Sequence, residues 1–431
     1  MESVNFNVKN KLKDYIDLLI VLITIVISDD TILFGTNKNT QFIKIKYCII
    51  ILLFFYLILN YLIKKKKVNT NLFFITITLS ILIMFTSLIN NDFRFGYFYR
   101  CGILVIGMFL SLKIPLHRFA ILYDKIMEVL AVFSLIGYFI SISFSQILKY
   151  LPIIYNSANN AFYTLLLTNI SVNHGGFHRN YGLFREPGVF QLYLIVALLF
   201  QMFIIHNPKL KTQIIYLIAL LTTFSTTGYI ALMFIIFLYA NKKSNFRSDR
   251  NIKIAFIMIF ILSFTYLSLF TDLLFKEGYG SVFGKLFDST RNSTSARIAS
   301  ILVNLRLFME SPIWGVGLSN VEYNFAPLAY QILGFYTEHN TNTLLIQLAQ
   351  YGLIFIILWM IGICKLCKLI GRNLFNSFII FILYNVLFIG SNLSFSLITN
   401  VLFAYGFSNY KQYLSINKNQ YNLLYNGGKN V

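Results

Sequence analysis

Two stretches of the chain place charged side chains directly beside apolar segments. The first is YGLFREPGVF at 181–190, where Arg185 and Glu186 stand side by side just before a long apolar run. Arg179 lies shortly before them. A charge near lipid is costly unless it is paired, solvated or functional. The pattern therefore raises the possibility of an anion site at a membrane boundary.

The second stretch begins with residues 293–320, which combine a predicted amphipathic helix with a Pro/Gly-rich turn. Ser293 or Thr294 would cap this helix. Arg297 would then lie in the first helical turn, where an anion also meets free backbone N–H groups. The apolar residues of the predicted helix repeat at helical spacing, and they are Ile298, Ile301, Leu302, Leu305 and Phe308.

Arg291 lies close to this helix, and Glu338 and His339 precede the next apolar segment. A guanidinium group is planar and binds phosphate oxygens in a bidentate manner. A histidine can take a proton from a hydroxyl group near neutral pH. Glu186 could orient Arg185 or act as an alternative base. Together these residues predict a site for a phosphate-bearing lipid.

Simpler interpretations apply to each of these residues. Arginines at a membrane face often only solvate lipid headgroups, which is an alternative for Arg179, Arg185, Arg291 and Arg297. His339 could equally cap a helix or lie in a loop without a chemical role. These alternatives stay open on the sequence alone.

Metal and redox sites are not predicted. His174 and His178 have a spacing that binds zinc on a helix, but NHGGFH contains two glycines and no nearby third ligand. Cys364 and Cys367 have the CxxC spacing of redox or zinc sites, but no second ligand pair accompanies them. We therefore expect no metal and no cofactor.

The composition is that of an integral membrane protein. The 431 residues are 57% hydrophobic and 12% charged, whereas soluble domains carry about 25% charged residues. The net charge of +20 comes from short clusters between apolar runs, such as Lys64–Lys67 and residues 242–250. This is the pattern of cytoplasmic loops. It argues against nucleic-acid binding, because no basic face with interleaved aromatic residues is present.

Hydropathy predicts an all-α, polytopic protein with about 10–12 transmembrane helices in one membrane domain over residues 1–431. Residues 212–240 are flanked by basic clusters on both sides, which predicts two short segments that meet near 224–228 and return to the same side. Two long loops, at about 146–186 and 272–342, would lie outside the membrane, and both termini would be cytoplasmic. The predicted spans are 15–34, 45–63, 71–89, 95–112, 125–145, 187–206, 252–271, 343–364, 374–390 and 393–408.

The chain resembles the bacterial O-antigen polymerase (Wzy-type) and O-antigen ligase superfamily over roughly residues 180–365. Three segments carry the resemblance. GLFREPGVF is similar to the segment before a central span of capsule and O-antigen polymerases. SAR at 295–297, followed by ESPIWGVGLSN, is similar to the arginine helix and turn of the family. EHNTNTLLIQLAQYGLIF at 338–355 is similar to its His–Asn entrance to a glycine-containing helix.

The resemblance implies about a dozen transmembrane helices and a large periplasmic loop above a cavity that faces lipid. It also implies a glycan linked to undecaprenyl diphosphate as substrate, with Arg297 holding the diphosphate and His339 acting as base. Ligases commonly carry an arginine in a turn between two central helices, where this chain has STTG at 225–228. Arg185 could replace that arginine.

These implications predict a polysaccharide polymerase in the bacterial inner membrane. It would join undecaprenyl-diphosphate-linked repeat units by inverting, metal-independent glycosyl transfer, as for O-antigen in lipopolysaccharide or for capsule. Membrane lipids and a chain-length regulator are candidate partners. The alternatives are an O-antigen ligase that transfers glycan to lipid A–core, and a non-enzymatic flippase or polysaccharide exporter.

Overall fold

The computed structural model describes residues 2–64, 69–157, 159–172, 179–243 and 292–408. Most of these residues are helical. The helices are α1 (Glu2–Val26), α2 (Thr40–Lys64), α3 (Thr70–Ile89), α4 (Phe95–Lys113), α5 (Leu116–Ser143), α6 (Pro187–Phe203), α7 (Leu210–Leu221), α8 (Thr226–Lys243), α9 (Asn292–Glu310), α10 (Gly317–Leu333), α11 (Thr343–Gly371), α12 (Leu374–Ile389) and α13 (Leu397–Phe407).

The predicted class of an all-α, polytopic membrane protein is confirmed. Among the described residues, five helices, α2 to α5 and α11, are long and apolar enough to cross a membrane. Shorter apolar helices, α6, α7, α8, α12 and α13, pack among them. The predicted span at 252–271 lies outside the described residues.

Several predicted spans have different boundaries in the structure, and α11, for example, continues to Gly371, beyond the predicted end at 364. The span predicted at 15–34 is wrong at its end, because α1 stops at Val26 and a separate π-helical turn follows at Ile32–Thr36. Polar residues between them, including Asp30, make tertiary contacts instead of continuing the helix. The span predicted at 125–145 begins earlier, because α5 starts at Leu116, directly after Pro115. Proline fits the start of a helix, where its missing N–H needs no partner.

Helix α6 is the centre of the bundle. Sixteen of its seventeen residues are buried, as expected for a helix that is apolar on every side. It packs against α5, α7, α8 and α11. Because Glu186 is the residue before its first turn, the charged pair Arg185–Glu186 directly precedes a helix whose residues are almost all buried.

Polar contacts group the helix ends into two faces of the bundle. At the basal end, Lys113 Nζ lies 2.5 Å from Asp17 Oδ1, and Arg372 donates to the Phe203 carbonyl at 3.0 Å. At the opposite end, which we call the site end, the Arg185 N–H donates to the Asp30 carbonyl at 2.9 Å.

The prediction of two short segments over 212–240 is confirmed. Helix α7 ends at Leu221 and α8 begins at Thr226, so the chain turns at 222–225. Asn241 near the end of α8 donates to Asn376 at 2.7 Å, which places the end of α8 at the start of α12. The turn therefore lies at the site end. Gly228 allows close packing, since a Cβ there would lie 2.2 Å from Gln191 Oε1 of α6.

The first predicted outer loop contains a sheet that the sequence analysis did not predict. It is antiparallel, with the order β1 (Ile153–Tyr155), β2 (Ala161–Leu165) and β3 (Thr168–Ser171). Asn156 forms an isolated bridge with Asn37, and β3 packs against α5. The sheet thus covers the site end beside the end of α1.

The second predicted outer loop supplies α9 and α10. Helix α9 begins at Asn292, so Arg297 is not in its first turn as predicted. The helix packs through Ala299, Val303 and Leu307, whereas Ile298, Ile301 and Leu302 of the predicted apolar repeat are exposed. The helix is confirmed, but the residues that form its buried face differ from the predicted ones.

A turn at 311–316 docks into a kink of α11. Gly352 interrupts α11 with φ +77°, and a Cβ there would lie 2.2 Å from the Ile313 carbonyl oxygen. The Leu353 N–H donates to the Pro312 carbonyl at 2.9 Å, and the Val316 N–H donates to the Ala349 carbonyl at 2.8 Å. These bonds satisfy backbone groups that the kink removes from the helix. The turn therefore fixes α9 and α10 to the transmembrane bundle.

Candidate functional site

A cavity of about 560 Å³ opens at the site end, and we call it the arginine cavity. It lies between the loop before α6, the turn between α7 and α8, helix α9, and the segment before α11. Of the predicted site residues, the lining contains Arg179, Arg185, Glu186, Arg297 and His339. Arg291 lies outside the described residues. Side chains from distant parts of the sequence thus meet in one cavity.

Arg179 is held by the turn between α7 and α8. Its Nε donates to the Thr223 carbonyl at 3.0 Å, and its Nη2 donates to the Phe224 carbonyl at 3.1 Å. The carbonyls after a helix have no partner within the helix, and a cation there also interacts favourably with the helix dipole. Arg179 therefore places a guanidinium at the STTG turn, which itself carries no arginine.

Arg185 is held by groups from two other segments. Its backbone N–H donates to the Asp30 carbonyl at 2.9 Å, and its Nη2 donates to the Asn392 carbonyl. Its Nε finds no hydrogen-bond partner among the described residues. Arg185 thus retains a donor for a ligand while its backbone and one guanidinium nitrogen are fixed.

Asp30 connects Arg185 to α6 and to the segment before α13. The sequence did not identify this residue as part of the site. Its carboxylate is almost fully buried and accepts hydrogen bonds from Tyr193 of α6 at 2.6 Å and from Ser396 before α13. Burial raises the pKa of this carboxyl, while the positive charge of Arg185 opposes the rise. An acidic residue inside a predicted apolar span was the available signal, because such residues need a partner.

Arg297 faces the same cavity from α9. Burial lowers the pKa of its guanidinium, and the positive charge of Arg179 lowers that pKa further, while Glu186 opposes both effects. Burial also lowers the pKa of Arg179. Two cations that destabilise each other in a partly buried cavity favour the binding of an anion.

His339 lies in a segment that α9 fixes from the same side as Arg297. The Thr341 N–H donates to Ser300 Oγ at 3.0 Å, and Asn304 and Asn340 exchange side-chain hydrogen bonds at 2.8 and 3.1 Å. The His339 ring is exposed at the cavity and is therefore accessible to a substrate.

Ser300 and Asn304 were also missed by the sequence analysis. Both are fully buried although they are polar. Ser300 lies three residues after Arg297, and Asn304 lies four residues after Ser300. The three side chains therefore lie along one face of α9. Polar residues at this spacing in an apolar helix were the signal that could have identified them.

Glu186 completes the lining of the cavity. It is exposed, it precedes α6, and it makes no side-chain capping bond. Its charge acts on both Arg179 and Arg297. The carboxylate is thus free to orient a guanidinium or to accept a proton from a bound substrate.

The described residues contain no group of three or more histidine, cysteine or acidic side chains that could hold a metal ion. His174 and His178 lie outside the described part of the chain. Cys364 and Cys367 belong to the last turns of α11, where Cys367 is buried and Cys364 is exposed. The described lining of the arginine cavity supplies three guanidinium groups to a phosphate group.

Part of the chain is similar to a known protein family. Residues 212–360 match the family model of the O-antigen ligase. The match confirms the predicted O-antigen polymerase and ligase superfamily. A comparison with curated proteins finds no match.

The matched segment runs from α7 into α11 and contains Arg297 and His339. Arg179, Arg185 and Glu186 precede it and reach the cavity through the fold. The family supports glycosyl transfer of the O-antigen polymerase or ligase type, with lipid-linked oligosaccharides as substrates in a membrane.

Proposed function

We propose that this protein is a polysaccharide polymerase of the cytoplasmic membrane, acting on repeat units linked to undecaprenyl diphosphate. The observation that carries the proposal is the arginine cavity, in which three guanidinium groups lie with one imidazole and one carboxylate. Guanidinium groups suit a diphosphate. The imidazole of His339 suits the removal of a proton from a sugar hydroxyl.

In the proposed reaction the growing glycan on its lipid diphosphate is the donor, and a single lipid-linked repeat unit is the acceptor. An acceptor hydroxyl oxygen forms a bond to the anomeric carbon of the donor, and its proton moves to His339, with Glu186 as the alternative base. The bond between the anomeric carbon and the diphosphate oxygen breaks, so undecaprenyl diphosphate leaves with the electron pair.

The arginines stabilise this leaving group. Negative charge on the diphosphate increases as the bond breaks, and Arg179, Arg185 and Arg297 are already oriented toward one cavity. Such preorganised charge is commonly the largest contribution to catalysis. We therefore expect activity to persist after treatment with EDTA.

The second candidate function is that of a ligase, because the matched family model bears that description. A ligase uses the same kind of donor, so the arginine cavity does not discriminate between the two. The segment GLFREPGVF resembles polymerases and favours elongation. The absence of an arginine in the STTG turn is weaker support, since Arg179 binds that turn.

Deletion of the gene tests the proposal. A polymerase mutant should carry surface lipid with single repeat units, because flipping and ligation continue without chain growth. Long polymer that accumulates on undecaprenyl diphosphate, together with a core that carries no repeat unit, would identify a ligase. In a host without an outer membrane, loss of capsule polymer and accumulation of single lipid-linked repeats are expected.

A further inference from the structure

A second cavity, of about 740 Å³, lies next to the arginine cavity at the site end. It is bounded by the start of α4, by α10, by α11 and by the loop before α13. The segment before α11 separates the two cavities, since His339 lines the arginine cavity whereas Glu338 and Asn340 line the second one. Asn392 also lines the second cavity, and its carbonyl accepts the hydrogen bond from Arg185.

The charges of the second cavity differ from those of the arginine cavity. Its arginine, Arg94, forms ion pairs with Glu322 and with Asp92, the latter at 3.2 Å. A further carboxylate, Glu338, accepts a hydrogen bond from the Tyr336 hydroxyl at 3.1 Å. The lining carries two carboxylates, those of Glu322 and Glu338, against the one guanidinium of Arg94. This charge disfavours the binding of a diphosphate, and the carboxylates offer hydrogen-bond acceptors.

Aromatic rings and amides form much of the remaining lining. Tyr323 and Tyr336 are exposed at the cavity, and Phe395 lines it from the loop before α13. Gln350 is 7% exposed, and its Oε1 has no hydrogen-bond partner among the described residues. A buried acceptor without a partner is costly, so this amide points to a ligand that donates a hydrogen bond.

We propose that the second cavity, the glycan cavity, binds the non-reducing end of the acceptor oligosaccharide. Sugar hydroxyls can donate to the carboxylates and to Gln350, and the C–H faces of a pyranose can pack on the tyrosine rings. The inference rests on the proposed function and specifies where its second substrate binds.

The arrangement of the two cavities fits the order of the reaction. The donor diphosphate lies on the arginines, and the acceptor sugar reaches the same segment from the other side. His339 stands between Glu338 and Asn340 in that segment, so an acceptor hydroxyl in the glycan cavity approaches the proposed base.

Binding of a water-soluble glycan tests the proposal. The probe is the oligosaccharide released by mild acid from the lipid-linked repeat units that accumulate in the deletion strain. Saturation-transfer NMR with the purified full-length protein in detergent measures its binding. Tyr323→Ala should weaken binding by up to about tenfold, as expected for the loss of an aromatic contact. Glu338→Gln should also weaken glycan binding. This variant provides the test if Tyr323→Ala does not fold.

The matched control is Tyr330→Ala, which removes an exposed tyrosine of the same helix that does not line the cavity. This variant should bind the glycan like the wild type. Undecaprenyl diphosphate without sugar provides the second probe, and its affinity should be unchanged in Tyr323→Ala but lost in Arg297→Ala.

The possible outcomes separate the two proposals. Unchanged glycan affinity in both Tyr323→Ala and Glu338→Gln, or no glycan binding by the wild type at millimolar concentration, would overturn the glycan cavity. Either result could occur while undecaprenyl diphosphate still binds, and the proposed function would then stand. Failure of the wild type to bind undecaprenyl diphosphate would instead count against the proposed function.

Discussion

Three guanidinium groups line the arginine cavity, and Glu186 is the carboxylate among its described lining residues. Such an excess of positive charge is unfavourable without an anion, because burial leaves Arg179 and Arg297 incompletely solvated and Arg179 also repels Arg297. A diphosphate would remove this penalty. The same groups would then stabilise the additional charge that develops when the sugar leaves.

Substitution of Arg297 tests this role at the residue scale. Arg297→Ala should reduce polymer formation by about 10²–10³-fold, as expected for the loss of one oriented charge donor. Arg297→Lys should also be strongly impaired, because an ammonium group cannot reproduce the bidentate geometry. The measurement is polymer length and amount in a complemented deletion strain, with protein quantified in the membrane.

Arg306→Ala is the matched control, since Arg306 is an exposed arginine on the same helix outside the cavity lining. It should retain wild-type activity. Equal losses in Arg306→Ala and Arg297→Ala would show that the effect comes from α9 in general and not from the cavity.

His339 is proposed as the base, so His339→Ala should abolish transfer without loss of protein. The physical reason is that the acceptor hydroxyl must lose its proton as it attacks, a contribution of about 10²–10⁴-fold. His206→Ala is the control, because that histidine lies beside His117 at the basal end. Full activity in His339→Ala would refute the assignment, and Glu186→Gln would then be the variant to measure.

At the scale of elements, the contact between the turn at 311–316 and the kink of α11 determines where α9 and His339 lie. Gly352→Ala should destabilise the protein by more than about 1 kcal/mol, because φ +77° is unfavourable with a Cβ and that Cβ would lie 2.2 Å from the Ile313 carbonyl. The measurement is thermal unfolding of the purified protein in detergent.

Gly102→Ala is the comparison, because Gly102 lies within α4 and a Cβ there would meet no atom within 4 Å. Alanine has the higher helix propensity, so this variant should be as stable as the wild type or slightly more stable. If Gly352→Ala and Gly102→Ala unfolded at the same temperature, close packing at the kink of α11 would not be needed for stability.

Periodicity and charge predicted the elements well where the local signal was strong. The basic clusters around 212–240 predicted the two short helices α7 and α8, and long apolar runs predicted α2, α3 and α4. The end of α1 was missed because hydropathy does not show that Asp30 has partners in α6 and before α13. The small sheet was missed because its strands are short and pair only in the context of the helices beneath them.

The candidate site could be predicted as a set of residues but not as an arrangement. Charged residues beside apolar runs identified Arg179, Arg185 and Arg297. The carbonyl groups that hold two of them, that of Thr223 for Arg179 and that of Asn392 for Arg185, come from segments with no local signature. Which guanidinium occupies the STTG turn depends on tertiary packing, and the structure places Arg179 there.

At the scale of the whole molecule, the described parts of both long loops lie at the end of the bundle opposite the basal contacts. The basic clusters predict that the site end faces outward. Cysteine labelling tests this orientation on a background without the four native cysteines. Tyr150→Cys, at an 89% exposed position of the site end, should react with an impermeant maleimide in intact cells. Leu374→Cys, at the basal end, should react only after permeabilisation, and the reverse pattern would invert the topology.

The central claim is that the arginine cavity joins repeat units through a lipid diphosphate leaving group. The most direct measurement incubates the purified protein with lipid-linked single repeat units and analyses the products by mass spectrometry. We expect molecules with two or more repeat units on one lipid diphosphate, together with released undecaprenyl diphosphate, and about 10²–10³-fold less of these products with Arg297→Ala. If no elongation occurs and glycan is transferred only when lipid A–core is supplied, the protein is a ligase and the claim is contradicted.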